Sequence, residues 1–259
     1  AKIIHLDIDP AEIDKNVKTT VPVWGDCKET LPLLTQRVQQ RNHSAWLQKF
    51  KDYEQQEIDA VVHKELNPET GEMTMGEVIR HLNELTGGEA VIVTDVGQHQ
   101  MVACRYAQLN NTRSNVTSGG LGTMGFALPA AIGAKFGAKE RTVVAVIGDG
   151  GFQMTLQELG TIMQTGVDVK ILILNNRFLG MVRQWQELFN QRRYSFVDIE
   201  SPDFVKLASA YGIEGRQVTD RSTLNEALRT MLDHNGSYLL EVMVTKENNV
   251  FPMVPQGCS

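Results

Sequence analysis

From residue 73 onward the chain alternates apolar runs with amphipathic stretches. The runs AVIVTD (90–95), VVAVI (143–147), VKILILNN (169–176) and YLLEVMV (238–244) have strand length. They are nearly continuous in apolar residues, as strands buried on both faces are. Between them, TMGEVIRHLNEL (74–85), VGQHQMVACRYA (96–107), TLQELGTIMQTG (155–166), DFVKLASAYG (203–212) and STLNEALRTMLDHNG (222–236) read as helices. The small, apolar second half of TSGGLGTMGFALPAAIGAKFGA (117–138) predicts one more, tightly packed. Proline is tolerated only in a first turn, so Pro129 sets that helix's start near Gly125. GMVRQWQELFNQ (180–191) reads as loop or helix. Strands alternating with helices predict an α/β fold, a doubly wound parallel sheet with helices on both faces. In such sheets ligands sit beyond the carboxyl ends of the strands, where Asp95, Asp149, Asn175 and Asn176 stand.

Residues 1–35 read as strand (Ile3–Ile8), a polar helix-like stretch, strand (Val21–Trp24) and short helix, too little to close a sheet. They are expected to be the end of a preceding α/β domain. A helix capped by Ser44 follows, with Trp46, Phe50, Tyr53 and Ile58 on roughly one side. Asn67-Pro68 and Gly71 break it. Residues 36–72 are therefore expected to connect two domains, and 73–259 to form the second. The chain opens at Ala1 directly into a strand, which is expected of a piece of a longer protein.

A net charge of −6 and pI near 5.6 argue against nucleic acid or an anionic membrane as partner. No apolar run is long enough to span a bilayer, and the N-terminus lacks a signal peptide's charged and apolar regions. Cys27, Cys104 and Cys258 are too scattered for a disulfide framework or a CxxC metal site. Free thiols fit a reducing compartment, so a cytoplasmic protein is expected. The six histidines have no zinc-site spacing.

The stretch VVAVIGDGGFQMT (143–155) ends a buried strand on Gly148-Asp149-Gly150-Gly151. Asp-Gly is a common turn dipeptide, and a turn alone is one reading. The other is a phosphate site: the glycines let a bulky anion approach the main chain. A helix beginning near Thr155 would aim free N–H groups at the same place. A carboxylate would repel a bare phosphate, but not one bridged by a divalent cation, and Mg2+ suits a few protein oxygens completed by phosphate and water. The next strand ends in Asn175-Asn176, which would bring a neutral oxygen of Asn176 beside Asp149. GDG, helix, strand, NN is more specific than either piece.

GDGGFQMTLQELGTIMQTGVDVKILILNN (148–176) resembles the thiamine-diphosphate-binding motif. The resemblance implies Mg2+ held by Asp149, Asn176 and the main-chain carbonyl of Phe178. More narrowly, TDVGQHQM, SGGLGTMGFALPAAIGA, NNRFLGMVRQWQELF and the closing FPMVPQG resemble the C-terminal part of the acetohydroxyacid (acetolactate) synthase catalytic subunit, across essentially the whole chain. That implies Gln98 and His99 on the diphosphate, with Gly148, Gly150 and Gly151 giving it room. It also implies Gly122 and Met124 against the aminopyrimidine, and Met181 and Trp185 on the substrate side. From residue type alone, His99 is an ordinary capping or surface histidine, Met124 a core filler and Trp185 a packing aromatic.

The implied activity is decarboxylation of pyruvate and transfer of the two-carbon unit to a second 2-oxo acid, in branched-chain amino-acid biosynthesis. The family's activating glutamate lies in an N-terminal domain to which nothing in residues 1–259 is similar. No catalytic residue is therefore expected in this stretch, and the chain alone is expected to be inactive. The family's anabolic members also bind FAD, largely through the middle domain. Homodimers or larger oligomers and a regulatory small subunit are implied too. The alternatives are another thiamine-diphosphate 2-oxo-acid decarboxylase or oxidase, and a non-catalytic nucleotide-binding module. The last lacks a G-x-G-x-x-G in the required strand–helix context.

Overall fold

A computed structural model of the chain describes residues 1–254. Cys258 and the last three residues of the FPMVPQG segment lie outside the described residues. The chain divides into two compact units, Ala1–Glu54 and Gln55–Ser259.

In the first unit, β1 (Ile4–Asp7) and β2 (Val21–Trp24) pair in parallel, Ile4 opposite Val21. The polar stretch between them forms only a 3-10 turn, Pro10–Glu12. Asp26 caps α1 (Cys27–Thr35) by accepting the Lys28 N–H. α2 (Ser44–Glu57) starts one residue sooner than a Ser44 cap requires. The side-chain oxygen of Asn42 accepts the Ser44 N–H instead, at 2.8 Å. Trp46 and Phe50 meet edge-on at 4.5 Å and both stay exposed. In the second unit a π turn, Ile58–Val62, leads into α3 (His63–Leu66). It ends at Asn67, which the following proline bars from helical geometry.

The second unit is built on β3 (Val91–Thr94), β4 (Asn115–Thr117), β5 (Val143–Gly148), β6 (Lys170–Asn175), β7 (Glu214–Val218) and β8 (Tyr238–Met243). Its spatial order is β4-β3-β5-β6-β8-β7, and every pair is parallel. Alternate residues of the central strands supply two cores. Val144, Val146, Leu172, Leu174, Leu240 and Val242 pack under α4 (Met75–Thr86), α5 (Gln98–Tyr106) and α11 (Leu224–Asp233). On the other face, Val143, Ala145, Ile147, Ile171 and Ile173 pack under four helices. These are α6 (Ala127–Gly137), α7 (Asp149–Thr155), α8 (Leu159–Thr165) and α10 (Phe204–Ala210). The remaining helix, α9 (Gly180–Phe189), forms where the sequence left loop or helix open.

Two expectations change. β4 and β7 are strands that hydrophobic patterning misses, because both are edge strands with partly exposed, polar residues. The small-residue helix α6 begins at Ala127, near Gly125 and with Pro129 in its first turn. Most consequentially, α7 begins at Asp149 rather than near Thr155, so GDGG is the first turn of a helix. Phe152 explains this locally: it is fully buried and packs edge-on against Phe204 at 5.2 Å. Burying such a ring contributes about 2–3 kcal/mol, more than two glycines cost a helix.

Candidate functional site

The chain order along the sheet reverses beside β3. From β3 the path goes outward to β4, then returns across to β5 on the other side. That switch point opens a crevice at the carboxyl ends of β3 and β5, where open α/β sheets bind ligands. A cleft lies there. Gln98 and His99, from the first turn of α5, line it together with Gly148, Asp149, Gly150, Gly151, Asn176, Phe178 and Met181. Met124 reaches it from the loop before α6. Gly122 and Trp185 are outside this lining. Gly122 sits in the exposed loop with φ of +62°. Trp185 lies one turn beyond Met181 on α9, 45% exposed and stacked on Phe189 at 5.0 Å.

Asp149 is 1% exposed at the start of α7 and accepts a hydrogen bond from the Ser201 hydroxyl at 3.2 Å. Burial pushes its carboxyl up to about 6, against the Ser201 hydrogen bond, which lowers it. β5 and β6 are adjacent, with Gly148 level with Leu174. Asp149 therefore emerges beside the Asn175-Asn176 pair. The Asn176 side-chain oxygen accepts the Phe178 N–H at 3.1 Å, and the Asn175 oxygen accepts the Arg177 N–H at 2.9 Å. These two closures turn the chain at Arg177, whose φ is +56°. Among the described residues no N–H donates to the Phe178 carbonyl.

His99 is buried, and its Nε2 has no partner. Burial drives its pKa down to about 3, so the imidazole is neutral across the physiological range. A Cβ at Gly148 would lie 2.7 Å from the ring, which explains a glycine there. Gln98 is more committed. Its NH2 donates to the Gln184 side chain at 2.9 Å and to the Asn248 carbonyl at 2.8 Å, and its oxygen accepts from Asn176 at 3.4 Å. It can donate to a ligand only by giving up one of those bonds.

The glycines divide their work differently from the sequence reading. A Cβ at Gly151 would overlap the carboxylate of Asp95. The space it leaves is therefore filled by protein. A Cβ at Gly150 would meet Leu179 and Ile199 at 2.9 and 3.1 Å. Asp95 is fully buried and accepts the Ala127 N–H at 3.3 Å, across the start of α6. Burial raises its pKa, opposed by hydrogen bonds from the main chain at Gly125, Ala127, Phe126 and Val96. Its position at a strand end was a visible signal. Ser201, Gln184 and Leu179 had none, because they come from loops and a helix whose approach is not encoded locally.

The cleft thus offers a hard-oxygen donor set: one carboxylate, one side-chain amide oxygen and one main-chain carbonyl. Beside it are a neutral imidazole and the N–H groups of the first turn of α7. Among the described residues no group of three or more His, Cys, Asp or Glu could hold a metal ion by itself. Any cation here would need neutral and ligand oxygens to complete its shell.

The family pattern described as "Thiamine pyrophosphate enzyme, C-terminal TPP binding domain" matches residues 95–242. The chain belongs to the thiamine pyrophosphate enzymes. The matched span runs from Asp95 through the cleft to β8, so the TPP-binding domain and the six-stranded sheet nearly coincide. This thiamine pyrophosphate enzyme domain is similar to acetolactate synthases in particular. It is 41% identical to the acetolactate synthase isozyme 2 large subunit of Escherichia coli (strain K12), over 100% of the chain and 46% of that protein. It is 41% identical to the acetolactate synthase large subunit of Lactococcus lactis subsp. lactis (strain IL1403), over 99% of the chain and 44% of that protein. Acetolactate synthase 1, chloroplastic, of Nicotiana tabacum is 42% identical, over 99% of the chain and 40% of that protein. The chain spans less than half the length of these relatives. Among the described residues no helix is long and apolar enough to cross a membrane.

Proposed function

We propose that this chain is the cofactor-anchoring part of an acetolactate synthase catalytic subunit, and that it holds the diphosphate of thiamine diphosphate through Mg2+. One observation carries the reading: Asp149 and Asn176, delivered by adjacent strands, line one cleft with Phe178 at the switch point. The residues fit the group. Asp149 is a buried carboxylate that, among the described residues, pairs with no Lys, Arg or His, and a bound Mg2+ would offset its burial. The Asn176 oxygen and the Phe178 carbonyl would complete the protein's share of the shell. The uncapped start of α7 and the free Nε2 of His99 would face diphosphate oxygens.

When bound, thiamine diphosphate supplies the nucleophile and electron sink for decarboxylating a 2-oxo acid. The chain's own residues bind, orient and exclude water. Met124 would pack against the aminopyrimidine, with Gly122 giving the preceding loop its turn. Gln98 would join the diphosphate contacts by exchanging an internal bond. Met181 and Trp185 lie four residues apart on one side of α9 and would face the substrates, pyruvate and a second 2-oxo acid. On this reading the proton-transfer glutamate is not among residues 1–259. The protein would work as a homodimer or larger oligomer in the cytoplasm, with a regulatory small subunit and, in its middle domain, FAD. We assign residues 1–35 to the end of that middle domain, 36–72 to a connector and 73–259 to the TPP-binding domain.

The direct test is titration of thiamine diphosphate with and without Mg2+, followed by product analysis of the full-length enzyme with pyruvate. Magnesium-dependent binding and acetolactate are expected. Metal-independent binding would refute the site, and acetaldehyde or acetate as product would refute the synthase assignment. The 259-residue chain alone is expected to give no acetolactate; appreciable turnover would overturn the assignment of the activating group elsewhere.

A further inference from the structure

Behind the Asn175-Arg177 turn lies a carboxylate with no role in the reading above. Glu241 is on β8, the neighbour of β6, and is 2% exposed. One of its oxygens accepts from the Asn175 side chain at 2.7 Å, and the other accepts from Gln217 on β7 at 2.8 Å. Asn175 has no freedom to reverse, because its own oxygen is bound to the Arg177 N–H. Among the described residues no Lys, Arg or His forms an ion pair with Glu241. A buried carboxylate without a cation costs several kcal/mol. Two buried carboxylates thus lie toward the carboxyl end of the sheet, Asp149 after β5 and Glu241 on β8.

We propose that Glu241 is a positioning residue for the cation, fixing Asn175 so that the Arg177 turn presents Asn176 and Phe178, and adding negative charge behind the site. This rests on the Mg2+ reading of the preceding subsection. Groups that orient metal ligands from behind are typically worth about 10–100-fold in metal affinity.

The test is Glu241→Gln in the intact protein. Its amide keeps an acceptor for Asn175, and Gln217 can reverse to accept from its NH2, so shape is retained while charge is lost. Mg2+ is titrated in the presence of thiamine diphosphate, and unfolding in urea is measured without either. About a tenfold weaker Mg2+ affinity is expected, with the cation-free fold kept. A change of less than threefold overturns the inference, as does a loss of stability with affinity unchanged, the mark of a merely structural role. The positioning itself is tested by Glu241→Asp, which keeps the charge but withdraws the carboxylate from Asn175. Its affinity must then fall by threefold or more, and a smaller change overturns the inference. Wild-type protein that binds no Mg2+ refutes the site itself, whereas wild-type binding with unaltered variants refutes only the role of Glu241.

Discussion

Replacing Asp149 by Asn should stabilise the cation-free protein while abolishing its cation site. Burial raises the Asp149 carboxyl from 3.8 to about 6, so at pH 8 the fold holds it ionised against its preference. The difference between the two values corresponds to about 3 kcal/mol of native-state destabilisation. Asparagine removes that cost and still accepts from Ser201, while its new NH2 group, left short of partners, returns about 1 kcal/mol. The variant should therefore be about 2 kcal/mol more stable at pH 8 without cation. The sign with pH follows from a folded pKa above the unfolded one: the penalty is complete above about pH 6 and disappears below about pH 4. The advantage of the variant should fade across that window. His99 has the opposite sign, since its lowered pKa makes stability fall as pH drops below its ordinary 6.5, but it is common to both proteins and cancels. Adding Mg2+ and thiamine diphosphate should reverse the order, because ligand at a hundred times its Kd stabilises only the wild type, by about 2.7 kcal/mol. Urea unfolding followed by circular dichroism, at pH 8 and pH 4 with chelator and then with ligands, reads each part. A variant less stable than wild type at pH 8 in chelator would refute the reasoning.

Two further substitutions separate space from chemistry. Gly151→Ala forces a methyl into the Asp95 carboxylate and should cost about 3 kcal/mol with loss of thiamine diphosphate binding. Gly133→Ala, exposed in the middle of α6 with nothing within 4 Å of the new Cβ, should stabilise by about 0.5–1 kcal/mol. Equal effects in urea titrations would contradict the packing argument. Trp185→Ala should cost only about 1 kcal/mol, the stacking on Phe189, and leave Mg2+ affinity unchanged, since Trp185 is off the cleft. A larger loss of affinity by calorimetry would mean that the indole belongs to the cofactor's anchor.

The central strands were readable because burial on both faces leaves an apolar run with few exceptions. The exceptions have partners: buried Lys170 donates to the carbonyls of His234 and Gly236, and Glu241 accepts from Asn175 and Gln217. β4 and β7 were not readable, because an edge strand is held by main-chain bonds to one neighbour and needs no apolar pattern. The start of α7 departs from its local pattern for another reason. Gly150 and Gly151 are poor helix formers, and only the burial of Phe152 and the close approach of Asp95 make that first turn helical.

For the site, the sequence alone determined that a carboxylate and an asparagine pair end two buried strands, separated by a helix. The family resemblance also implied His99, Met124 and Met181, which line the same cleft. The tertiary structure decided the rest. It set β3 beside β5, so that α5 delivers His99 over Gly148, and it tied Gln98 to Gln184 and Asn248. It gave the room at Gly151 to Asp95, and it put Glu241 behind Asn175. The division has a physical cause. Periodicity and turn chemistry act over a few residues, whereas these contacts join positions from 49 to 150 residues apart, which only the strand order brings together.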